Sequence, residues 1–182
     1  MKAPTIKATT VLGIIHNGKA VIGADGQATM GNTVAKSNVR KVRFLADGKV
    51  MVGFAGSTSD AFTLLERLEE KMNMYRNNLR RAAIELAKDW RTDRYLRRLE
   101  AMLIVMSKEE GLIISGSGDV LSQDNQIFSI GSGSMYAQSA ALALKRHKPE
   151  MSAREIVEES LKIAAEICIY TNDNLTILEF DE

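Results

Sequence analysis

The apolar residues of this chain change period at Gly56, and that change constrains the fold more than any other feature. Before it, apolar runs are short, β-rich and separated by tight turns: Thr9 to Ile15, Ala20 to Ala24, Val39 to Leu45 and Lys49 to Ala55. Asn17-Gly18 and Asp47-Gly48 supply turns, and Asn-Gly between apolar runs is a strong hairpin signal. After it, Leu64, Leu65, Leu68 and Met72 recur at helical spacing, behind the cap candidates Ser57, Thr58, Ser59 and Asp60. A second helix is expected over Leu79 to Trp90, continuing towards Leu99.

Strands return at Ala101 to Met106, Leu112 to Ser115 and Ile127 to Ile130. Helices follow over Ser134 to Arg146, stopped ahead of Pro149, and from the capping box Ser152-Ala153-Arg154-Glu155 towards Cys168. Leu175 to Glu179 closes as a strand. Hairpins outnumber βαβ alternations, so the class is α+β. Two sheets face to face, with helices on both outer sides, would bury these faces. The expected organisation is a short leader, residues 1–8, and one domain over 9–182.

Composition removes several functions. A net charge of +1 over 182 residues argues against dedicated nucleic-acid binding. No apolar stretch reaches the ~20 residues of a membrane span, and the start lacks the apolar core of a secretory signal. Cys168 is the single cysteine, which excludes an internal disulfide and fits a cytoplasmic protein. The two histidines, His16 in a turn and His147 at a helix end, read as surface residues. There is no Gly-x-Ser-x-Gly elbow, no zinc-ligand spacing and no phosphate-binding Gly-Lys-Ser/Thr loop. Gly131-Ser132-Gly133-Ser134 opens a helix and reads as a structural turn before it reads as an anion cradle.

Threonine chemistry remains. Thr9-Thr10 starts a strand just behind the leader and a small residue, Ala8. Taken alone, the pair is β propensity. Its neighbours change that reading: Thr9-Thr10-Val11-Leu12-Gly13, Gly23-Ala24-Asp25-Gly26-Gln27-Ala28-Thr29, Gly31-Asn32-Thr33-Val34 and Asn38-Val39-Arg40-Lys41-Val42-Arg43. Further along come Gly53-Phe54-Ala55-Gly56-Ser57, Ala87-Lys88-Asp89-Trp90-Arg91-Thr92-Asp93-Arg94, Ile130-Gly131-Ser132-Gly133 and Ile167-Cys168-Ile169-Tyr170-Thr171-Asn172. In order and spacing these resemble the bacterial relatives of the proteasome β subunit, which have the N-terminal-nucleophile fold, a four-layer α-β-β-α sandwich.

The resemblance implies a threonine-type endopeptidase with Thr9 as nucleophile, active once the residues ahead of it are removed. It implies Lys41 as the buried lysine beside the nucleophile and Asp25 as that lysine's partner. It also implies Gly53 as a backbone oxyanion donor and Ser132 as a serine near the threonine amine. Read from the residues alone, Lys41 is an exposed cation between Arg40 and Arg43. A sodium ion on the backbone carbonyls of Ala165, Cys168 and Thr171 is implied as well; relatives often have glycine where this chain has Ala165. The implied assembly is two stacked homohexameric rings of this chain, capped by a ring-shaped AAA+ ATPase, HslU. That partner binds the ATP and feeds in unfolded protein. A non-catalytic ring subunit and another N-terminal-nucleophile amidohydrolase are the alternatives. The retained Thr9, Asp25, Lys41 and Gly53 argue against the first.

Overall fold

The computed structural model describes residues 6, 7 and 9–181. Most of the expected leader, residues 1–5 and 8, therefore lies outside the described residues.

Along the chain, β1 (Ile6–Lys7), β2 (Thr10–His16), β3 (Lys19–Ala24), β4 (Ala28–Met30), β5 (Thr33–Lys36), β6 (Val42–Leu45) and β7 (Val50–Gly56) come first. Helices α1 (Thr58–Met74) and α2 (Leu79–Thr92) follow. A 3₁₀ turn (Leu96–Arg98) then leads into β8 (Ala101–Met106), β9 (Gly111–Ser115), β10 (Val120–Leu121) and β11 (Ile127–Gly131). Helices α3 (Ser134–His147) and α4 (Ala153–Ile167) precede the last strand, β12 (Thr176–Glu179).

One sheet has the order β10-β9-β8-β7-β6 and the other β11-β2-β3-β12. All pairings within them are antiparallel. Three apolar clusters define the layers. Leu64, Leu68, Leu86 and Trp90 of α1 and α2 pack on Val52, Phe54 and Leu103 of the first sheet. Val11, Ile22, Met51 and Ile104 fill the space between the sheets. Ala137, Ile156, Val157 and Leu161 of α3 and α4 pack on Leu12, Ile14 and Val21 of the second sheet. The result is the expected α-β-β-α sandwich.

Local chemistry explains most boundaries. Asn17 and Gly18 both take positive φ, as a two-residue hairpin turn demands. The Ser57 side chain accepts from the Asp60 amide and starts α1. Both halves of the capping box, Ser152 and Glu155, are formed at α4. The second helix is shorter than expected. It ends at Thr92 because the Asp93 carboxylate accepts from the amides of Tyr95 and Leu96, at 2.7 and 3.0 Å, and draws the chain out of the helix. The strand expected from Val39 begins only at Val42, because the Val39 amide donates to the Gly26 carbonyl and Lys41 turns inward.

The hairpin β4–β5 was not expected. With β1 it forms a third, three-stranded sheet. All four residues of β5 are exposed, so no apolar alternation marks the strand.

Candidate active site

The site is built where β2 begins. Thr9 and Thr10 are buried, at 4% and 0% exposure. The Thr9 carbonyl accepts from the Ser132 amide at 2.7 Å. The Thr10 hydroxyl accepts from the Gly133 amide at 3.0 Å and lies 2.7 Å from the Thr171 hydroxyl. This contact shows what the Gly-Ser-Gly run is for. A Cβ on Gly131, whose φ is +96°, would lie 2.0 Å from the Thr9 carbonyl oxygen. One on Gly133 would lie 2.2 Å from the Thr10 hydroxyl. The two glycines thus let the turn before α3 close on the threonine pair.

Behind the pair sits a buried ion pair. Asp25 follows directly on β3, and Lys41 directly precedes β6. Their exposures are 1% and 2%, and Lys41 Nζ is 2.8 Å from Asp25 Oδ1. The same oxygen accepts from the Thr10 amide at 2.7 Å. Asp25 Oδ2 accepts from the amides of Gln27 and Asn172, at 3.0 and 3.3 Å. Four donors saturate the carboxylate, so Asp25 is a fixed anchor with no lone pair left for a proton in flight. Lys41 also donates to the Gln27 carbonyl at 2.6 Å. An ammonium has three N–H donors, and among the described residues two are engaged. Burial holds the Lys41 ammonium below the ordinary lysine range, and Asp25 opposes that shift by its charge and its hydrogen bond.

Thr9 opens onto a cavity of about 880 Å³. Ser129, Gly131 and Ser132 line one wall, and Ala55, Gly56 and Met102 the other. Asp60, Arg98 and Glu100 bring charge to it; of the three, the sequence singles out only Asp60, as a helix-cap candidate.

The structure brings Thr9, Asp25, Lys41 and Ser132 into one neighbourhood, but not the Gly53 amide. Gly53 lies mid-strand in β7, opposite Val42 on one side and Ile104 on the other. The Phe54 amide donates to the Lys41 carbonyl, so strand alternation turns the Gly53 amide towards β8. A Cβ at Gly53 would lie 2.5 Å from Val11 and 3.0 Å from Ile22. Glycine is therefore needed there for the close approach of the two sheets, and the oxyanion role expected of Gly53 is not what this geometry offers.

Sequence reading missed four partners: the Thr10 amide, the Gln27 carbonyl, the Thr171 hydroxyl and Asn172. Asn172 also takes the Gly26 amide on its side-chain oxygen at 3.0 Å, which clamps the Asp25 turn from both sides. The Thr171-Asn172 pair ends a matching segment, and Thr171 is expected from the sequence only as a main-chain cation ligand, not for its hydroxyl.

The expected sodium ligands lie at the C-terminal end of α4. Ala165 is in its last turn, and the Cys168 amide closes on the Ala164 carbonyl. The Cys168 carbonyl accepts from the Thr171 amide at 3.0 Å, and a carbonyl oxygen keeps a second lone pair. Last-turn carbonyls carry partial negative charge. A methyl at residue 165 does not alter a main-chain oxygen. Main-chain oxygens are the type of ligand that a hard cation takes.

A buried threonine pair, a lysine–aspartate couple behind it and a four-layer sandwich define an N-terminal-nucleophile hydrolase. The proteasome subunit family matches residues 5–180, and the chain belongs to that family. Within it, the chain is a protease subunit of the kind that works in ATP-dependent proteolysis. It is 68% identical over 172 residues to the "ATP-dependent protease subunit HslV" of Amoebophilus asiaticus, covering 94% of this chain and 96% of that one. It is 70% identical over 172 residues to the protein of the same name from Cytophaga hutchinsonii, with the same coverage. The crystal structure of eukaryotic HslV from Trypanosoma brucei superposes with a TM-score of 0.90 at 43% identity, over 95% of this chain and 99% of that one.

Proposed function

We propose that Thr9 is the nucleophile of this peptidase, that its own α-amine is the general base, and that Lys41 and Asp25 set the electrostatics of both. The observation that carries the reading is the Asp25 carboxylate. One oxygen holds the Thr10 amide and the Lys41 ammonium together, at 2.7 and 2.8 Å.

A threonine hydroxyl needs a base beside it. Asp25 is saturated, and both histidines lie outside the cavity lining. A free α-amine on Thr9 supplies the base, whereas an amide nitrogen within a chain cannot accept a proton. The amine takes the Oγ1 proton as the oxygen attacks the scissile carbonyl. It then returns that proton to the leaving amide nitrogen as the tetrahedral intermediate collapses to an ester. Water, deprotonated by the same amine, hydrolyses the ester and restores Thr9. Ser132 lines the cavity and is suited to hold that water. Gly56 replaces Gly53 as candidate oxyanion donor: it lines the cavity, and strand alternation turns its amide away from β8. A neighbouring ammonium favours the neutral amine and the charged oxyanion alike.

The assembly read from the resemblance is two stacked homohexameric rings, working in the cytoplasm with an HslU-type AAA+ ring that unfolds proteins and feeds them to Thr9. The names of the relatives, ATP-dependent protease subunits, support an ATPase partner. This chain's own motifs hold no nucleotide. Sodium on the Ala165, Cys168 and Thr171 carbonyls would brace the end of α4 and the segment after it, where the Thr171 hydroxyl lies 2.7 Å from that of Thr10.

The pH profile of peptide hydrolysis tests the proton assignments. Activity rises with pH as the Thr9 amine deprotonates, at or below the free-amine range of about 7.7–8.0. It falls again as Lys41 loses its charge. Since burial lowers the Lys41 pKa, that alkaline limb lies below the ordinary value of 10.5. Stopped assays across the range should trace a bell. A rate that does not change from acid to alkali would remove the amine as base.

A further inference from the structure

Both acceptors of the Lys41 ammonium belong to one short segment. Asp25 Oδ1 lies 2.8 Å from Nζ, and the Gln27 carbonyl oxygen 2.6 Å. Asp25 is fixed by its four donors. Gln27 is not fixed by a sheet, since residues 25–27 lie between β3 and β4 and belong to neither strand. Its main-chain amide donates to Asp25 Oδ2 at 3.0 Å. The rest of its hold comes from its own buried side chain. The side-chain amide spends one N–H on the Thr29 hydroxyl at 3.0 Å and the other on the Ile169 carbonyl at 2.9 Å. Ile169 stands in the segment after α4, 142 residues further along the chain. The oxygen that receives the ammonium is thus anchored, through its own residue's side chain, to the main chain beyond the last helix.

We propose that Gln27 is a positioning residue for Lys41: its side-chain amide, tied to the Ile169 carbonyl, holds the Gln27 carbonyl on the ammonium. The proposal rests on the reading of Lys41 as the charge beside Thr9. A carbonyl aimed at an ammonium favours the charged form, so it offsets part of what burial takes away. Few charges act on this group from the elements around it. Asp25 faces it directly. On its own segment, Arg40 is exposed, and the Arg43 guanidinium lies over the Phe62 ring at 4.5 Å. Strand β7 carries no titratable side chain. The segment after α4 acts through the Asn172 amide on Asp25 and the Ile169 carbonyl on Gln27, both uncharged. At the start of β2, Thr9 adds its amine once that is free. If the tie is cut, the Gln27 carbonyl swings away and Asp25 remains the one acceptor of the ammonium among the described residues. Lys41 then loses its proton at lower pH.

Kinetics of the assembled enzyme, with chains that begin at Thr9, test this. Gln27→Met keeps the side-chain volume and removes both donors. Its kcat should still trace a bell against pH, with the alkaline limb displaced to lower pH by about one pH unit. At neutral pH kcat should fall roughly tenfold, while KM stays near wild type. Gln27→Asn keeps the amide one methylene short of its reach and should displace the limb in the same direction; it decides the matter if Gln27→Met fails to assemble. Thr29→Val removes the other acceptor and spares the tie to Ile169, so its alkaline limb should coincide with that of wild type. An unmoved limb in an assembled Gln27 variant would overturn the inference even if kcat fell, because lost packing alone slows turnover without changing when Lys41 titrates. An equal displacement in Thr29→Val would overturn the Ile169 tie. A wild-type enzyme without any alkaline limb is a different failure: it removes Lys41 from the mechanism, and the role of Gln27 with it.

Discussion

Thr9→Ala is expected to lower peptide hydrolysis by a factor on the order of 10⁴ or more, in line with the removal of a nucleophile from other covalent hydrolases. Stability should change little. The loss is one hydroxyl and one methyl, and the main-chain contacts of residues 9 and 10 with Ser132 and Asp25 remain. Assembly, circular dichroism and thermal midpoint should therefore stay near wild type while fluorogenic peptide turnover disappears. Retained turnover would mean that another side chain attacks the substrate, and a degenerate, non-catalytic role for Thr9 would follow.

Lys41→Ala is the second large effect, and it acts on both the fold and the chemistry. It leaves the Asp25 carboxylate buried without its counter-charge, a change that typically costs about 3–5 kcal/mol. For a domain of this size that corresponds to a fall of roughly 6–20 °C in thermal midpoint. Activity should vanish as well, which by itself would not separate misfolding from lost electrostatics. Pairing Lys41→Met with Asp25→Asn separates them. An apolar side chain beside a neutral amide removes the unpaired charge, while the asparagine can still accept from the Thr10 amide. The double variant should regain most of the stability and none of the activity. A double variant that hydrolyses peptide at the wild-type rate would remove the ion pair from the mechanism.

The parts of this fold legible in the sequence are those whose causes are local. Asn17-Gly18, the Ser152–Glu155 capping box and the spacing of Leu64, Leu68 and Met72 each act within a few residues, and each forms as read. Lys41 is different. Its immediate neighbours are arginines, and local reading places it in solvent. Its burial is decided by Asp25, sixteen residues earlier and just past the end of β3, so only resemblance to a family could place it. Gly131 and Gly133 were legible as a turn, but their reason is the approach of a strand more than 120 residues away in sequence. Gly53 shows the converse error: a role transferred by position, where the structure supplies a packing cause. The β4–β5 hairpin was missed because β5 buries nothing, and a strand without a buried face leaves no period to read.

The central claim is that the amine of Thr9 must be free, and the mass of the working enzyme tests it most directly. Purified protein is separated by processing state, and each fraction is measured for intact mass and for peptide hydrolysis. Activity should track the fraction whose chains begin at Thr9, and chains that retain residues 1–8 should be silent. Full activity in chains that still carry Met1 to Ala8 would contradict the account.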